Sequence, residues 1–360
     1  MQKIPLIILT GFLGSGKTTL LNNLLKTPQL ADSAVLVNEF GAIALDHHLI
    51  EAVPESTVVL GNGCICCAMR GELSGALRTL FWQRQDKKIP DFKRVIIETT
   101  GLADPAPILH ELLNHPTILQ HYSVAGVITC VDGAFGAEQL ERQPESLKQA
   151  VVADQLLITK TDLASAEQIA ALTEQLQALN SVATIHPVAN GKIDPEIFLT
   201  TTTHHSPDRN ADGQRWQKPD AYRPIQIDPG LHMHLRRPTA SSSSQHKRIH
   251  SFCLTFEQPL PRRGLLTALQ MLASMHGEHI LRIKGIVHFD DDDKPHVIHG
   301  IQHMLFPIET LERWPQGLSG TQLVFIVEGL AADTITDMLQ KFIGMDRGDR
   351  KAELTSWLIS

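Results

Sequence analysis

Cysteine is scarce in this chain, with five residues in 360. An odd count does not suit a disulfide framework, and so few thiols could staple little. Positive charge is not in excess either. The formal net charge is -7, and no basic block stands out, which argues against nucleic acid as a partner because phosphate binding needs a basic face. No apolar run is long enough to span a bilayer, which argues against a membrane role. The opening MQKIPLIILTGFLGSGKTT has a short apolar stretch but no small-residue cleavage site after it, so it does not read as a secretion signal. These absences predict a cytoplasmic protein with reduced thiols. Hydrophobic residues at 42 % allow ordinary cores, and the length suggests two or three domains.

Short apolar runs ending in polar residues dominate the first half: IPLIIL, AVLVNE, RVIIETT, VAGVITCVD, QLLITKTD and ATIHPV. Stretches with helical spacing separate several of them. Alternation of this kind predicts an α/β fold with a mainly parallel sheet over residues 1–199. Residues 200–247 are polar and rich in Ser, Pro, Asp and His, and read as a linker or insertion. Residues 248–360 return to strand and helix patterns and predict a smaller α+β domain. Its two strands HILRIKGIVHF and HVIHGIQHML flank an acidic turn, DDDDKP, which lacks the spacing of a Ca²⁺ loop.

Gly11 to Thr18, GFLGSGKT, satisfies every position of GxxxxGK(S/T), with a strand before it and a helix after. Gly11, Gly14, Ser15 and Gly16 would close backbone N–H groups around phosphate oxygens. Lys17 would reach the β- and γ-phosphates, the Thr18 hydroxyl would bind Mg²⁺, and Thr19, next on the helix whose N-terminus favours the anion, would also contact the nucleotide. VIIETTG is a strand ending in an acid. Glu98 is placed to hold Mg²⁺ or orient the attacking water, and the Gly101 N–H to sense the γ-phosphate. In LLITKTDL, the Asp162 carboxylate can accept from guanine N1 and N2 while the stem of Lys160 covers the base. Guanine readers of this kind carry Asn before the Lys. Here it is Thr159, which can still bond the backbone near the phosphate loop. The segment's place after a late strand of a P-loop domain makes guanine the favoured base, with ATP or mixed specificity the alternative.

Three of the five cysteines fall in one loop, GNGCICC: Cys64, Cys66 and Cys67. Neighbouring Cα atoms are about 3.8 Å apart, whereas a disulfide wants about 4.4–6.8 Å, so Cys66–Cys67 would be strained. No thioredoxin-like strand–helix setting favours the CxxC pair as a redox couple. Buried packing explains single cysteines better than three in four positions. Soft thiolates suit Zn²⁺, or Co²⁺, and three ligands from one loop leave a tetrahedral ion an open position. That position could take water, a client side chain, or Glu39 of VNEFG.

Taken in order, TGFLGSGKTTLLNNLL, VNEFG, GNGCICC, IIETTGLADP and ITKTDL resemble the metallochaperone GTPases of the CobW/YjiA type. The resemblance continues in RIKGIVHFDDDDKPHVIHGIQHMLF and TQLVFIVEGL. It implies slow hydrolysis of GTP, coupled to binding of Zn²⁺ or Co²⁺ and delivery to a client metalloprotein. Alternatives from other classes are a zinc buffer with little turnover and a P-loop ATPase or kinase. The histidines offer a weaker lead. His204, His205, His232 and His234 lie in the linker, and His276, His279, His288, His296, His299 and His303 in the last domain. A metal-loading surface is one reading. Strand histidines that simply face solvent are the other.

Overall fold

The computed structural model describes residues 3–38, 58–60, 73–199, 222–227, 233–238, 249–315, 318 and 320–357. The chain divides into two compact units, Met1–Gln177 with Ala183–Ser206 and Ala178–Val182 with Pro207–Ser360. Glu39, Cys64, Cys66, Cys67, His204, His205 and His232 lie outside the described residues.

The first unit is built on a seven-stranded parallel sheet. Its strands are β1 (Ile4–Gly11), β2 (Ser33–Asn38), β3 (Val58–Leu60), β4 (Arg94–Thr99), β5 (Tyr122–Asp132), β6 (Gln155–Thr159) and β7 (Thr184–Pro187), ordered β3-β2-β4-β1-β5-β6-β7. β1 lies at the centre, and its continuous apolar run is what a strand covered on both faces requires. Ile7 and Leu9 join a core with Leu20, Leu21, Leu24 and Leu25 of α1 (Lys17–Leu25) and Phe198 of α8 (Pro195–Leu199). Leu6 and Ile8, fully buried, alternate with them and face the other way. The remaining helices are α2 (Leu73–Gln85), α3 (Pro105–Asn114), α4 (Pro116–His121), α5 (Gly136–Arg142), α6 (Pro144–Val152) and α7 (Ala166–Leu179). Three of them start on proline, which has no N–H to leave unpaired in the first turn. Because every strand runs the same way, Gly11, Asn38, Leu60, Thr99, Asp132 and Thr159 end at one edge of the sheet. Phosphate sites form at such an edge.

The second unit holds an eight-stranded antiparallel sheet. Two of its strands, β8 (Tyr222–Ile227) and β9 (Met233–Pro238), come from the segment the sequence reads as linker, and His234 lies on β9. The others are β10 (Ile249–Phe256), β11 (Ile280–Phe289), β12 (Asp292–Ile301), β13 (Met304–Leu305), β14 (Glu309–Thr310) and β15 (Thr321–Glu328). Alternate residues Phe252, Leu254 and Phe256 share a core with Leu265, Leu269 and Leu272 of α9 (Arg262–His276) and Ile335 and Leu339 of α10 (Ala332–Trp357). The acidic turn is shorter than the sequence suggests, because Asp292 and Asp293 already belong to β12.

His296 departs from the expectation of a solvent-facing strand histidine. It is only 3 % exposed. The pairing of β12 with β14 sets Thr310 opposite it, with Thr310 Oγ1 3.1 Å from Nδ1. Nε2 lies 3.1 Å from Asp292 Oδ2 and 3.3 Å from Arg262 Nη2. Arg262 in turn donates from Nε to Asp291 at 2.7 Å and stacks on the Phe289 ring. Burial first, then the Arg262 guanidinium, lowers the pKa of His296, against the pull of Asp292 and Asp291. Its folded pKa is thus below its unfolded value, so the unfolded chain binds the proton better. The stability involved is present above about pH 6.5 and is lost as pH falls toward the folded pKa. Asp291, hydrogen-bonded to Arg262, and Asp292, bonded by the Lys294 amide, have lowered values and titrate further down. Urea midpoints should therefore fall between pH 7.5 and 5.5 for the native chain, and fall less for His296→Gln. Equal slopes for the two proteins would contradict this assignment.

Candidate functional site

The turn after β1 carries the phosphate loop. Gly14 and Gly16 have φ of 71° and 83°, backbone that side-chain-bearing residues seldom adopt. Ser15 N closes the turn on Phe12 O at 3.1 Å. Lys17 opens α1 and is 8 % exposed. Its Nζ donates to Gly11 O at 2.8 Å and Phe12 O at 3.2 Å, which holds a positive charge inside the loop. Thr19 is exposed one residue past Thr18 on the same helix.

Glu98 ends β4 beside β1, in register with Leu9, and is 4 % exposed. Thr18 Oγ1 donates to Glu98 Oε1 at 2.6 Å. A hydroxyl and a carboxylate in contact are hard oxygen donors, and they fit Mg²⁺. Thr99 Oγ1 donates to Thr10 Oγ1 at 2.8 Å, which locks the same two strand ends together. Gly101 packs on the phosphate loop. A Cβ there would stand 2.6 Å from the backbone N and Cα of Leu13. Gln149 of α6, which sequence reading missed, donates to Gly101 O at 3.1 Å and Ala103 O at 2.9 Å and so pins this segment.

The other side of the loop is built by the ends of β5, β6 and β7. Thr159 Oγ1 donates to Ser15 O at 2.7 Å, so the residue that replaces Asn ties the TKTD segment to the phosphate loop. Lys160 has φ of 53° and pairs through Nζ with Asp132 Oδ2 at 2.7 Å. Asp132 is 2 % exposed, and its Oδ1 accepts from Ala134 N and Phe135 N. Asp162 Oδ1 accepts from Asn190 N at 2.8 Å. Asp132 was legible as another polar strand end, whereas no sequence signal marked Gln149 or Asn190.

Buried under this loop, Cys130 has its thiol pushed up to about 12, first by burial and also by the Glu98 charge, against the Lys17 charge. It packs in the core of the first unit with Ile7, Leu9 and Leu157. Among the described residues, no group of three or more His, Cys, Asp or Glu could hold a metal. The cysteine segment spans the gap between β3 and α2. At its exit, Ser74 N of α2 donates to Glu111 Oε1 of α3 at 2.7 Å. Glu111 supplies the acid that the first turn of α2 lacks. Among the described residues, no helix is long and apolar enough to cross a membrane.

A phosphate loop at the centre of a parallel sheet, an acid at the end of the neighbouring strand and a TKxD segment tied to the loop define a P-loop GTPase. Residues 5–187 match the family described as CobW/HypB/UreG, nucleotide-binding domain, and residues 249–343 match the cobalamin synthesis protein cobW C-terminal domain. The chain belongs to this CobW family. It is 30% identical over 326 residues to the "Zinc chaperone YjiA" of Escherichia coli, covering 91% of this chain and 94% of that protein. It is 31% identical over 201 residues to the "Zinc-regulated GTPase metalloprotein activator 1" of Schizosaccharomyces pombe, covering 54% of this chain and 48% of that one. The crystal structure of Zn(II)-bound YjiA GTPase from E. coli shares the fold, with a TM-score of 0.67 at 24% identity, over 95% of this chain and 99% of that one.

Proposed function

We propose that this chain is a GTP-hydrolysing metallochaperone of the reducing cytoplasm, which binds Zn²⁺ or Co²⁺ as cargo at Cys64, Cys66 and Cys67 and delivers it to a client metalloprotein under nucleotide control. Residues 1–199 would form the GTPase domain and 248–360 the C-terminal domain, whose sheet is extended by β8 and β9 from the 200–247 segment. One observation carries the reading. β2 and β3 pair with each other and run parallel to β1, from which β4 separates them, so the chain leaves for Glu39 and for Cys64 from the same sheet edge as the phosphate loop. Cys64 is four residues beyond Leu60, a reach of at most ~14 Å at about 3.5 Å per residue.

Lys17 neutralises phosphate charge and the glycine-rich turn orients the chain of phosphates. Thr18 and Glu98 would hold Mg²⁺, which when bound neutralises charge developing on the β- and γ-oxygens. The Gly101 N–H senses the γ-phosphate. Asp162 and Lys160 select guanine, with Thr159 keeping them in register with the loop. With GTP bound, the three thiolates would take the metal, with Glu39, water or a client group as fourth ligand. Hydrolysis removes the γ-phosphate and with it the contact that favours the metal-holding state.

A metal-competition titration tests this. Zn²⁺ should bind about tenfold tighter to protein loaded with a non-hydrolysable GTP analogue than to the GDP form, a coupling within the usual 5–150-fold range. Equal affinities would remove the switch and leave a zinc buffer that binds nucleotide.

A further inference from the structure

The turn after β7 is clasped from two sides. Asn190 and Gly191 both have positive φ, at 51° and 63°, and Lys192 N closes the turn on Ala189 O at 2.9 Å. From one side, Asn23 of α1 donates through Nδ2 to Gly191 O at 2.9 Å and Asn190 O at 3.4 Å. Both partners are carbonyls, so only the amide nitrogen can face them. The fit is close, because a Cβ on Gly191 would stand 2.8 Å from Asn23 Nδ2 and 3.1 Å from Thr19 Cγ2. From the other side, Asn190 N donates to Asp162 Oδ1, and Thr161 N donates to Val188 O at 3.2 Å. The phosphate-loop helix, the turn and the base-reading carboxylate are thereby joined in series: Asn23, Asn190–Gly191, Asp162.

We infer that Asn23 is a positioning residue for base recognition, holding the Ala189–Lys192 turn so that Asn190 N–H fixes the Asp162 carboxylate. This rests on the reading of Asp162 as the guanine acceptor. A carboxylate that gives one oxygen to a backbone amide keeps its second oxygen, and further lone pairs, for a base. The amide bond sets the rotation of the carboxylate, and Asn23 sets where that amide stands relative to the phosphate loop. Base and phosphates are recognised at a fixed separation only if this spacing is kept.

The chemistry at residue 162 makes the inference testable. In Asp162→Asn, Asn190 N–H still needs an acceptor, so the new carbonyl oxygen turns to it and the new NH₂ faces the base. Guanine presents donors there, whereas xanthine has a carbonyl in place of the 2-amino group. The exchange should favour XDP over GDP, and only while the turn stays fixed.

The experiment measures binding of GDP, ADP and XDP to the full-length protein by fluorescent-nucleotide competition. Asn23→Asp is nearly isosteric but sets a carboxylate against two carbonyls. It should weaken GDP about tenfold and leave ADP within about twofold, a loss on the scale of one net hydrogen bond. Asn23→Ala should do the same less strongly, and guards against misfolding of the charged variant, with melting temperatures taken for both. In steady state the loss should appear in KM for GTP rather than in kcat. Combined with Asp162→Asn, Asn23→Asp should erase the preference for XDP. If Asp162→Ala does not change the GDP-to-ADP ratio, the base reading itself fails. If it does, but both Asn23 variants bind GDP like the wild type or lose GDP and ADP equally, the positioning role of Asn23 is overturned.

Discussion

Lys17→Ala is expected to lower single-turnover GTP hydrolysis by at least about 10²-fold, the usual loss when one charge-stabilising donor is removed from a preorganised site. The structure gives the reason. The ammonium is buried and held by Gly11 O and Phe12 O, so it is aimed before nucleotide arrives. Alanine removes the charge and also leaves two loop carbonyls without their donor, so nucleotide affinity should fall with the rate. Lys17→Arg should not rescue it, because a planar guanidinium cannot occupy a cage shaped for a compact ammonium. Rapid-quench measurements at saturating GTP check the rate, and retention of half the wild-type rate by Lys17→Ala would sink the assignment.

Gly101→Ala should cost about 10²-fold in hydrolysis without touching any charged group. Its Cβ would lie 2.6 Å from backbone atoms of Leu13, a separation real Cβ atoms do not show, so either the phosphate loop or the segment after β4 must move. Gln149 resists the second option by holding Gly101 O and Ala103 O. Displacements of about 1 Å at a positioning element cost rates of this size. Gln149→Ala in the same background should recover part of the activity, since it lets the segment yield. If Gly101→Ala hydrolyses GTP at the wild-type rate, the close packing of these two loops carries no function.

Much of the first unit was legible because its strands are buried on both faces and read as unbroken apolar runs. The IPLIIL run became β1, and the polar residues closing RVIIETT and QLLITKTD stand where the chain meets the phosphate loop. Partners brought together by tertiary structure were not legible. Gln149 sits in a helix with no motif, and its two acceptors are backbone carbonyls, which the side-chain alphabet does not record. His296 depends on Thr310 and Arg262, far apart along the chain. β8 and β9 were hidden for another reason. They are short and each contains a proline: Pro224 lies in β8, the edge strand, where a missing N–H donor is tolerated, and Pro238 is the last residue of β9.

The bond from Ser74 N to Glu111 has a consequence for the segment that carries Cys64, Cys66 and Cys67. The cysteine segment, residues 61–72, starts from a strand paired to β2 and ends at a helix whose first turn is anchored to α3. A segment held at both ends explores far less space than a free tail of equal length. If Cys64, Cys66 and Cys67 hold metal as proposed, ordering their segment would therefore cost less entropy than ordering a free tail. Cutting the Glu111 anchor would leave the three thiols chemically intact and raise that cost.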